Sequence, residues 1–397
     1  MNDPHERLFR QLYGTGPSIL ASAPGRINLI GEHTDYNNGY VLPAAIQLRN
    51  SFLAAPGKGR RVRVRAENFN ESETFDLDAL KPSERKHWAE YVKGIFWALE
   101  QDGHRLGGVD AVIWGDVPLE SGLSSSAALE VSIIKGLTGL FGIDLPPEKL
   151  ARLAQKAEND FVGMKCGLMD QFIAVFGRRN SALFLDCETL AYEHFPLNLE
   201  KDNLGILVYD TKVRRKLAGS EYNSRREEAS RALEILKAHG AVSFKEATLV
   251  RLEKIRPAMS DVLYRRAKHV ISENARVRLS VKALRADNFF ALGTLLFQSH
   301  ESLRDDYEVS CPELNVLYET GRSFLGCLGA RLVGAGFGGS GIAIVEKSRL
   351  AAFEDKLKAA AQDRGFPEPE CRVISIGEGA LAERLPARPL SPTPSSG

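Results

Sequence analysis

Gly115-Asp-Val-Pro-Leu-Glu-Ser-Gly-Leu-Ser-Ser-Ser-Ala127 is the stretch from which the fold is read. The apolar run at 111–114 ahead of it predicts a strand and 115–122 a loop. From Ser124 onward, Ala128, Val131, Ile134 and Leu137 recur at helical spacing. Strand, glycine-bearing loop and helix together make a phosphate-binding arrangement. Free amides at the helix start point outward and the macrodipole places partial positive charge there, so triphosphate oxygens can be held without a lysine. Serine hydroxyls add donors or a magnesium ligand. Serine is also a good helix cap, but three in a row after a glycine exceed what a cap needs. No Gly-x-x-x-x-Gly-Lys-Ser/Thr stretch occurs in the chain, which excludes a Walker-type loop.

Toward the amino terminus, Ala23-Pro-Gly-Arg-Ile-Asn-Leu-Ile-Gly-Glu-His-Thr-Asp-Tyr36 packs Arg26, Glu32, His33 and Asp35 into ten positions. Sugar hydroxyls both donate and accept, so carboxylates and an imidazole suit a polyol pocket through charge-assisted hydrogen bonds. A metal site is a weaker reading, because one histidine with two carboxylates specifies no geometry. A solvated turn explains the glycines and polar residues, but not Arg26 and Asn28 set between apolar neighbours. Two further acids stand out downstream: Glu158 on a predicted helix, and Asp170 within Cys166-Gly-Leu-Met-Asp-Gln-Phe172. A carboxylate among apolar neighbours requires compensating partners. Late in the chain, Gly334-Ala-Gly-Phe-Gly-Gly-Ser-Gly341 matches Gly-x-Gly-x-x-Gly, yet residues 342–345 after it read as a strand rather than the helix of a dinucleotide fold. A hairpin, a ligand-lining loop or a plain structural turn remain open for it.

Around these segments the chain reads as two domains. Trp88, Tyr91, Val92, Ile95, Phe96 and Leu99 predict an amphipathic helix stopped by Gly103, Pro146 and Pro147 open another through Phe161, and 204–209 is a buried strand. Helices are predicted at 221–239, 261–284 and 312–328. The expected division is an N-terminal lobe over 1–200, a C-terminal lobe over 201–385 and a proline- and serine-rich disordered tail at 386–397. The 397 residues are 44% hydrophobic and 26% charged, and 52 basic against 51 acidic side chains leave a net charge of +1. That balance offers no general attraction for nucleic acid or an anionic membrane, so an anionic ligand must be gripped locally. Five dispersed cysteines without a Cys-x-x-Cys pair disfavour a disulfide framework, and the polar first ten residues lack a signal-peptide core, so the protein is expected to be cytoplasmic.

In order and spacing, from about residue 21 to 376, the chain resembles the galactokinase branch of the superfamily that also contains homoserine, mevalonate and phosphomevalonate kinases, the GHMP kinases. The stretch 24–39 is similar to the galactokinase motif, and 122–127 and 334–341 to the two motifs shared across the superfamily. The resemblance implies an α+β, two-lobed small-molecule kinase fold with its active site in the cleft between lobes, and transfer of the γ-phosphate of ATP to the anomeric hydroxyl of galactose with Mg2+. It assigns Asp170 as the base with Arg26 as its partner. Glu32, His33, Thr34, Asp35, Gly167 and Tyr222 face the sugar, Glu120, Ser121, Gly122, Leu123, Ser124, Ser125 and Ser126 cradle the triphosphate, and Ser126 and Glu158 hold the metal. A monomer is expected. The resemblance departs at Glu120, where the shared motif carries glycine; glycine is needed there only if φ is positive or the backbone touches the ligand, so the grip is expected from Gly122 to Ser126. Rival readings are another sugar 1-kinase, such as one for N-acetylgalactosamine, and a non-catalytic sensor, whose branch lacks the Ser126-Ala127 pair kept here.

Overall fold

The computed structural model describes residues 3–83, 87–214 and 218–386, and the side chains of these except at 218–220. Apart from Pro386, the tail expected at 386–397 lies outside them. The first lobe is built on a six-stranded sheet in the order β13 (Leu381–Arg384), β1 (Ile19–Asn28), β3 (Pro43–Pro56), β6 (Val109–Gly115), β4 (Arg61–Ala66), β5 (Glu71–Asp76), antiparallel except where β4 runs parallel to β6. The Trp88–Gln101 and Ser125–Phe141 helices pack with it through a core that includes Phe52, Phe96, Ile113, Ile134 and Leu137. Both helices appear where the apolar spacing puts them.

A second, wholly antiparallel sheet orders β10 (Cys327–Val333), β11 (Ser340–Glu346), β9 (Leu204–Asp210) and β12 (Glu370–Ile374), and a small one joins β2 (Tyr40–Val41), β7 (Ser181–Asp186) and β8 (Tyr192–Pro196). All seven residues of β9 are buried, as its unbroken apolar run requires. The Asp261–Arg285 and Phe289–Asp305 helices share a core with β9, β11 and the end of β1, where Ile27, Ile206, Val277, Leu296 and Ile342 cluster, so one apolar body spans both lobes. The glycine run 334–341 is the β10–β11 hairpin turn and the start of β11.

Two expectations are corrected. The helix predicted over 312–328 ends at Ser323, because residues from Cys327 pair with β11; Gly326, at φ 96°, turns the chain between the two elements. The stretch 201–385 is also not self-contained. Gln47 N donates to Ser375 O at 3.1 Å, Gly377 N donates to Ala45 O at 2.9 Å, and β13 adds to β1 as an edge strand of the first sheet. Among the described residues no helix is long and apolar enough to cross a membrane.

Candidate active site

The loop after β6 delivers the helix start against β1. Arg26 N donates to Leu123 O at 3.0 Å, and Asn50 of β3 donates through Nδ2 to Ser125 O at 2.8 Å, so two neighbouring strands hold the first turn. Ser124 sits at φ 61° and its hydroxyl does not cap the helix. It donates instead to Asp170 Oδ2, which removes the capping explanation for this serine. Asp170 opens the Met169–Phe176 helix and faces the Arg26 guanidinium in a two-pronged fork, Nε to Oδ1 at 2.8 Å and Nη2 to Oδ2 at 2.7 Å. Arg26 also donates to Gly122 O. One arginine therefore ties the phosphate loop to the carboxylate, and a bidentate pair of this kind fixes orientation as well as charge.

Within the loop, Gly122, Ser124, Ser125 and Ser126 are half-buried and reachable, whereas Leu123 is buried and Ser121 turns its hydroxyl inward onto Pro118 O at 2.8 Å. Glu120 takes φ 52°, the left-handed region in which a glycine is relaxed and glutamate is not. The positive φ that would call for glycine at this position is thus adopted by a glutamate, with its side chain exposed. The hairpin turn lies directly behind: a Cβ on Gly334 would stand 3.2 Å from Gly122 O, so only backbone fits between the two loops.

Ser126 lies beside Glu158, whose carboxyl burial pushes up while the Ser126 hydroxyl works to lower it. Glu158 stands on a turn of π-helix, Ala157–Val162, that continues the Pro147–Lys156 helix. Its Oε2 accepts from Gln171 Nε2 at 2.6 Å and from the Cys166 thiol at 3.3 Å. Glu130, fully buried on the Ser125–Phe141 helix, lies against the same group; burial and then the Glu158 charge push its carboxyl well up.

The 28–40 turn forms the opposite wall. Asp35 is half-buried and its carboxyl rises to about 7, from burial and then from the nearby Asp170 charge. Gly167 lies so close to Asp35 Oδ2 that any Cβ there would collide with the carboxylate. Glu32, buried, accepts from Gly334 N at 2.7 Å and Asn28 Nδ2 at 2.9 Å, and lies 3.4 Å from Arg331; burial nonetheless raises its carboxyl. His33, at φ 62°, drops to about 3 through burial and is neutral. With Nε2 donating to Ala335 O at 3.2 Å, Nδ1 accepts from Tyr36 at 2.8 Å, and the Tyr36 oxygen in turn accepts from Tyr307 at 2.9 Å. Tyr222 closes this wall, its ring 5.7 Å from that of His33 and 5.4 Å from that of Tyr36. Thr34 is spent within the turn: its fully buried hydroxyl reaches Gly31 O and Tyr40 O, each at 2.7 Å.

Three family models match the chain: the galactokinase galactose-binding signature over residues 7–56, the GHMP kinase N-terminal domain over 90–178 and the GHMP kinase C-terminal domain over 280–363. A galactokinase from Thermotoga neapolitana is 44% identical over 361 residues, covering 91% of this chain and 99% of its own length. One from Roseiflexus sp. is 43% identical over 357 residues, 89% of this chain and 90% of its own. The chain belongs to the galactokinase family. The crystal structure of Lactococcus lactis galactokinase complexed with galactose superposes at a TM-score of 0.91 with 38% identity, covering 95% of this chain and 98% of that one. The mevalonate kinase of Methanococcus jannaschii superposes at 0.66 with 18% identity over 91% and 99%, a likeness of fold alone.

Within this candidate site, Arg26, Asp170, Ser124 and Gly122 meet at one point and Ser126 lies beside Glu158, while Asp35, Gly167, His33 and Tyr222 line the wall beside them. Residues that sequence reasoning passed over complete it: Tyr36 and Tyr307, which fix the His33 ring, and Gln171 and Glu130 behind Glu158. Gln171 directly follows Asp170, and Glu130 belongs to the helix that Ser124 opens. Their neutral or helix-face character gave no separate signal.

Proposed function

We propose that this chain transfers the γ-phosphoryl group of ATP to the anomeric hydroxyl of galactose, giving galactose 1-phosphate and ADP. The observation that carries the reading is the Arg26–Asp170 fork at the start of the Ser125–Phe141 helix, since it joins a proton acceptor, a cation and an amide-lined phosphate loop in one place. Phosphoryl transfer needs alignment and charge neutralisation more than covalent help. Asp170 accepts the hydroxyl proton as the anomeric oxygen bonds to the γ-phosphorus and the bond from that phosphorus to the β–γ bridging oxygen breaks, releasing ADP. Arg26 faces the charge developing on the transferred group. Asp35, with Gly167 and Tyr222 beside it, receives sugar hydroxyls, while Glu32 and His33 hold the wall against the hairpin turn.

Magnesium fits the residues present. Ser126 and Glu158 are oxygen ligands side by side at the loop, and the Glu130 Oε1 and Gln171 Oε1 atoms behind them are buried without a hydrogen bond. Among the described residues no group of three His, Cys, Asp or Glu forms a cage, and Mg2+ asks only for one or two carboxylates with phosphates and water completing its shell. Bound there by Ser126 and Glu158, it supplies charge neutralisation to the phosphates. All of these groups come from one chain, so we infer that a monomer suffices, working in the cytoplasm where ATP is available.

The test is a coupled ADP-release assay across galactose, N-acetylgalactosamine, glucose, mevalonate and homoserine. Galactose is expected to give the highest kcat/KM. A preference for another sugar overturns the substrate, and absence of ADP release with all five leaves the sensor reading.

A further inference from the structure

Gln171 follows Asp170 directly and is fully buried, yet the transfer reaction itself gives it nothing to do. Its carboxamide lies between two acids. Nε2 donates to Glu158 Oε2 at 2.6 Å and stands 3.1 Å from Glu130 Oε2, so the two N–H bonds of one amide serve two carboxylates. The Cys166 thiol also donates to Glu158, and the Ser126 hydroxyl and the Glu130 carboxyl lie beside it, none of them a cation. Gln171 and Cys166 engage the same oxygen, Oε2, which fixes the rotation of the Glu158 carboxylate and leaves Oε1 outside their grip.

Burying two acids against neutral donors is unfavourable, and an apolar pair of similar volume would serve the fold better. The arrangement makes sense where a cation is to be met. We propose that Gln171 is a positioning residue for the metal ligand Glu158. Because it is the next residue after Asp170 on the first turn of the Met169–Phe176 helix, it also locks the metal ligand and the base into one register. The proposal rests on the assignment of Glu158 to Mg2+. Outer partners that orient metal ligands typically change metal affinity or activity by about 10–100-fold when removed.

The experiment compares the parent with Gln171→Met, which keeps volume and loses both donors, and Gln171→Asn, which keeps the donors on a side chain one methylene shorter. Two quantities are read: the Mg2+ concentration giving half-maximal turnover, and the calorimetric affinity for AMP-PNP with and without Mg2+. For Gln171→Met the half-maximal Mg2+ concentration is expected to rise by about 10-fold or more. The Mg2+-dependent gain in AMP-PNP affinity should shrink, with metal-free affinity and galactose KM little changed and turnover recovering at high Mg2+. A folded variant with unaltered Mg2+ dependence, or a loss that excess Mg2+ does not restore, overturns the proposal. If Gln171→Met does not fold, Gln171→Asn carries the same test with the same direction expected. Glu158→Gln separates the two levels: an unaltered Mg2+ dependence there overturns the ligand assignment itself, whereas a changed one beside unaltered Gln171 variants overturns only the role of Gln171.

Discussion

Two buried acid clusters in this molecule are built on opposite terms. At the junction of the lobes, Glu273 is fully buried, accepts from Gly31 N at 2.9 Å and Ser299 Oγ at 2.6 Å, and pairs with Arg276 Nε at 2.7 Å. Burial works to raise its carboxyl, but Arg276, His269 and Arg331 outweigh it and bring it down to about 2. Beside the phosphate loop, Glu130 and Glu158 meet each other and the neutral Gln171 amide, with the Cys166 thiol on Glu158, and burial raises both. The first cluster contains its own positive charge and is architecture, stitching the turn at Gly31 to the Asp261–Arg285 helix. The second is short of positive charge and lies beside the loop to which we assign the triphosphate and its metal ion. Compensation, rather than burial, separates the structural acids from the functional ones.

The largest expected effect breaks the compensated side. Glu273→Gln strands the half-buried Arg276 beside a neutral group and removes its counter-charge, so unfolding free energy should fall by about 3 kcal/mol. Chemical denaturation measures it, and a loss below about 1 kcal/mol would remove the architectural role. On the functional side, Asp170→Asn keeps the side-chain volume but gives up one arm of the Arg26 fork and cannot take a proton. Turnover should drop by about 100-fold or more while ATP and galactose still bind. Near-normal turnover in that variant would take the base assignment away.

Acidity acts with opposite signs on Glu273 and on Asp35, across the site from the second cluster. Glu273 binds fewer protons folded than unfolded, so its contribution is complete above its ordinary 4.5 and is lost as pH falls toward about 2. Asp35, raised from 3.8 to about 7, behaves conversely: its contribution is present below 3.8 and is lost as pH rises through about 7. The difference in thermal stability between the parent and Asp35→Asn should therefore shift as pH rises from about 4 to about 7, the parent losing ground to the variant. An identical slope in the variant would show that Asp35 is not the group responsible. The smallest effect concerns strain in the phosphate loop. Glu120→Gly relieves the left-handed backbone at φ 52° and should raise stability by about 1 kcal/mol with turnover unchanged, read from the denaturation midpoint.

Much of this was legible in local pattern. The strand, loop and helix around Gly122 follow from apolar spacing and glycine placement, a hairpin is one of the readings open for 334–341, Arg26 and Asp170 stand out as charges among apolar neighbours, and Asp35 stands out within a dense polar cluster. What was not legible depends on distant pairing. Nothing near Leu381 says that β13 will join β1, and nothing near Ser323 except the glycines beyond it says that the helix must yield to a strand. Thr34 looks like a sugar ligand beside Asp35 until the turn consumes its hydroxyl. Gln171 and Glu130 look like ordinary helix residues until three separate segments bring them to the same carboxylate.

The central claim is that the Glu158 cluster is held for a cation and not for the fold. Its most direct test is the ligand-free unfolding free energy of Glu158→Gln beside the parent. Removing one of two uncompensated buried acids should leave stability equal or higher, with Mg2+-dependent turnover lost. A destabilisation comparable to that of Glu273→Gln would contradict it.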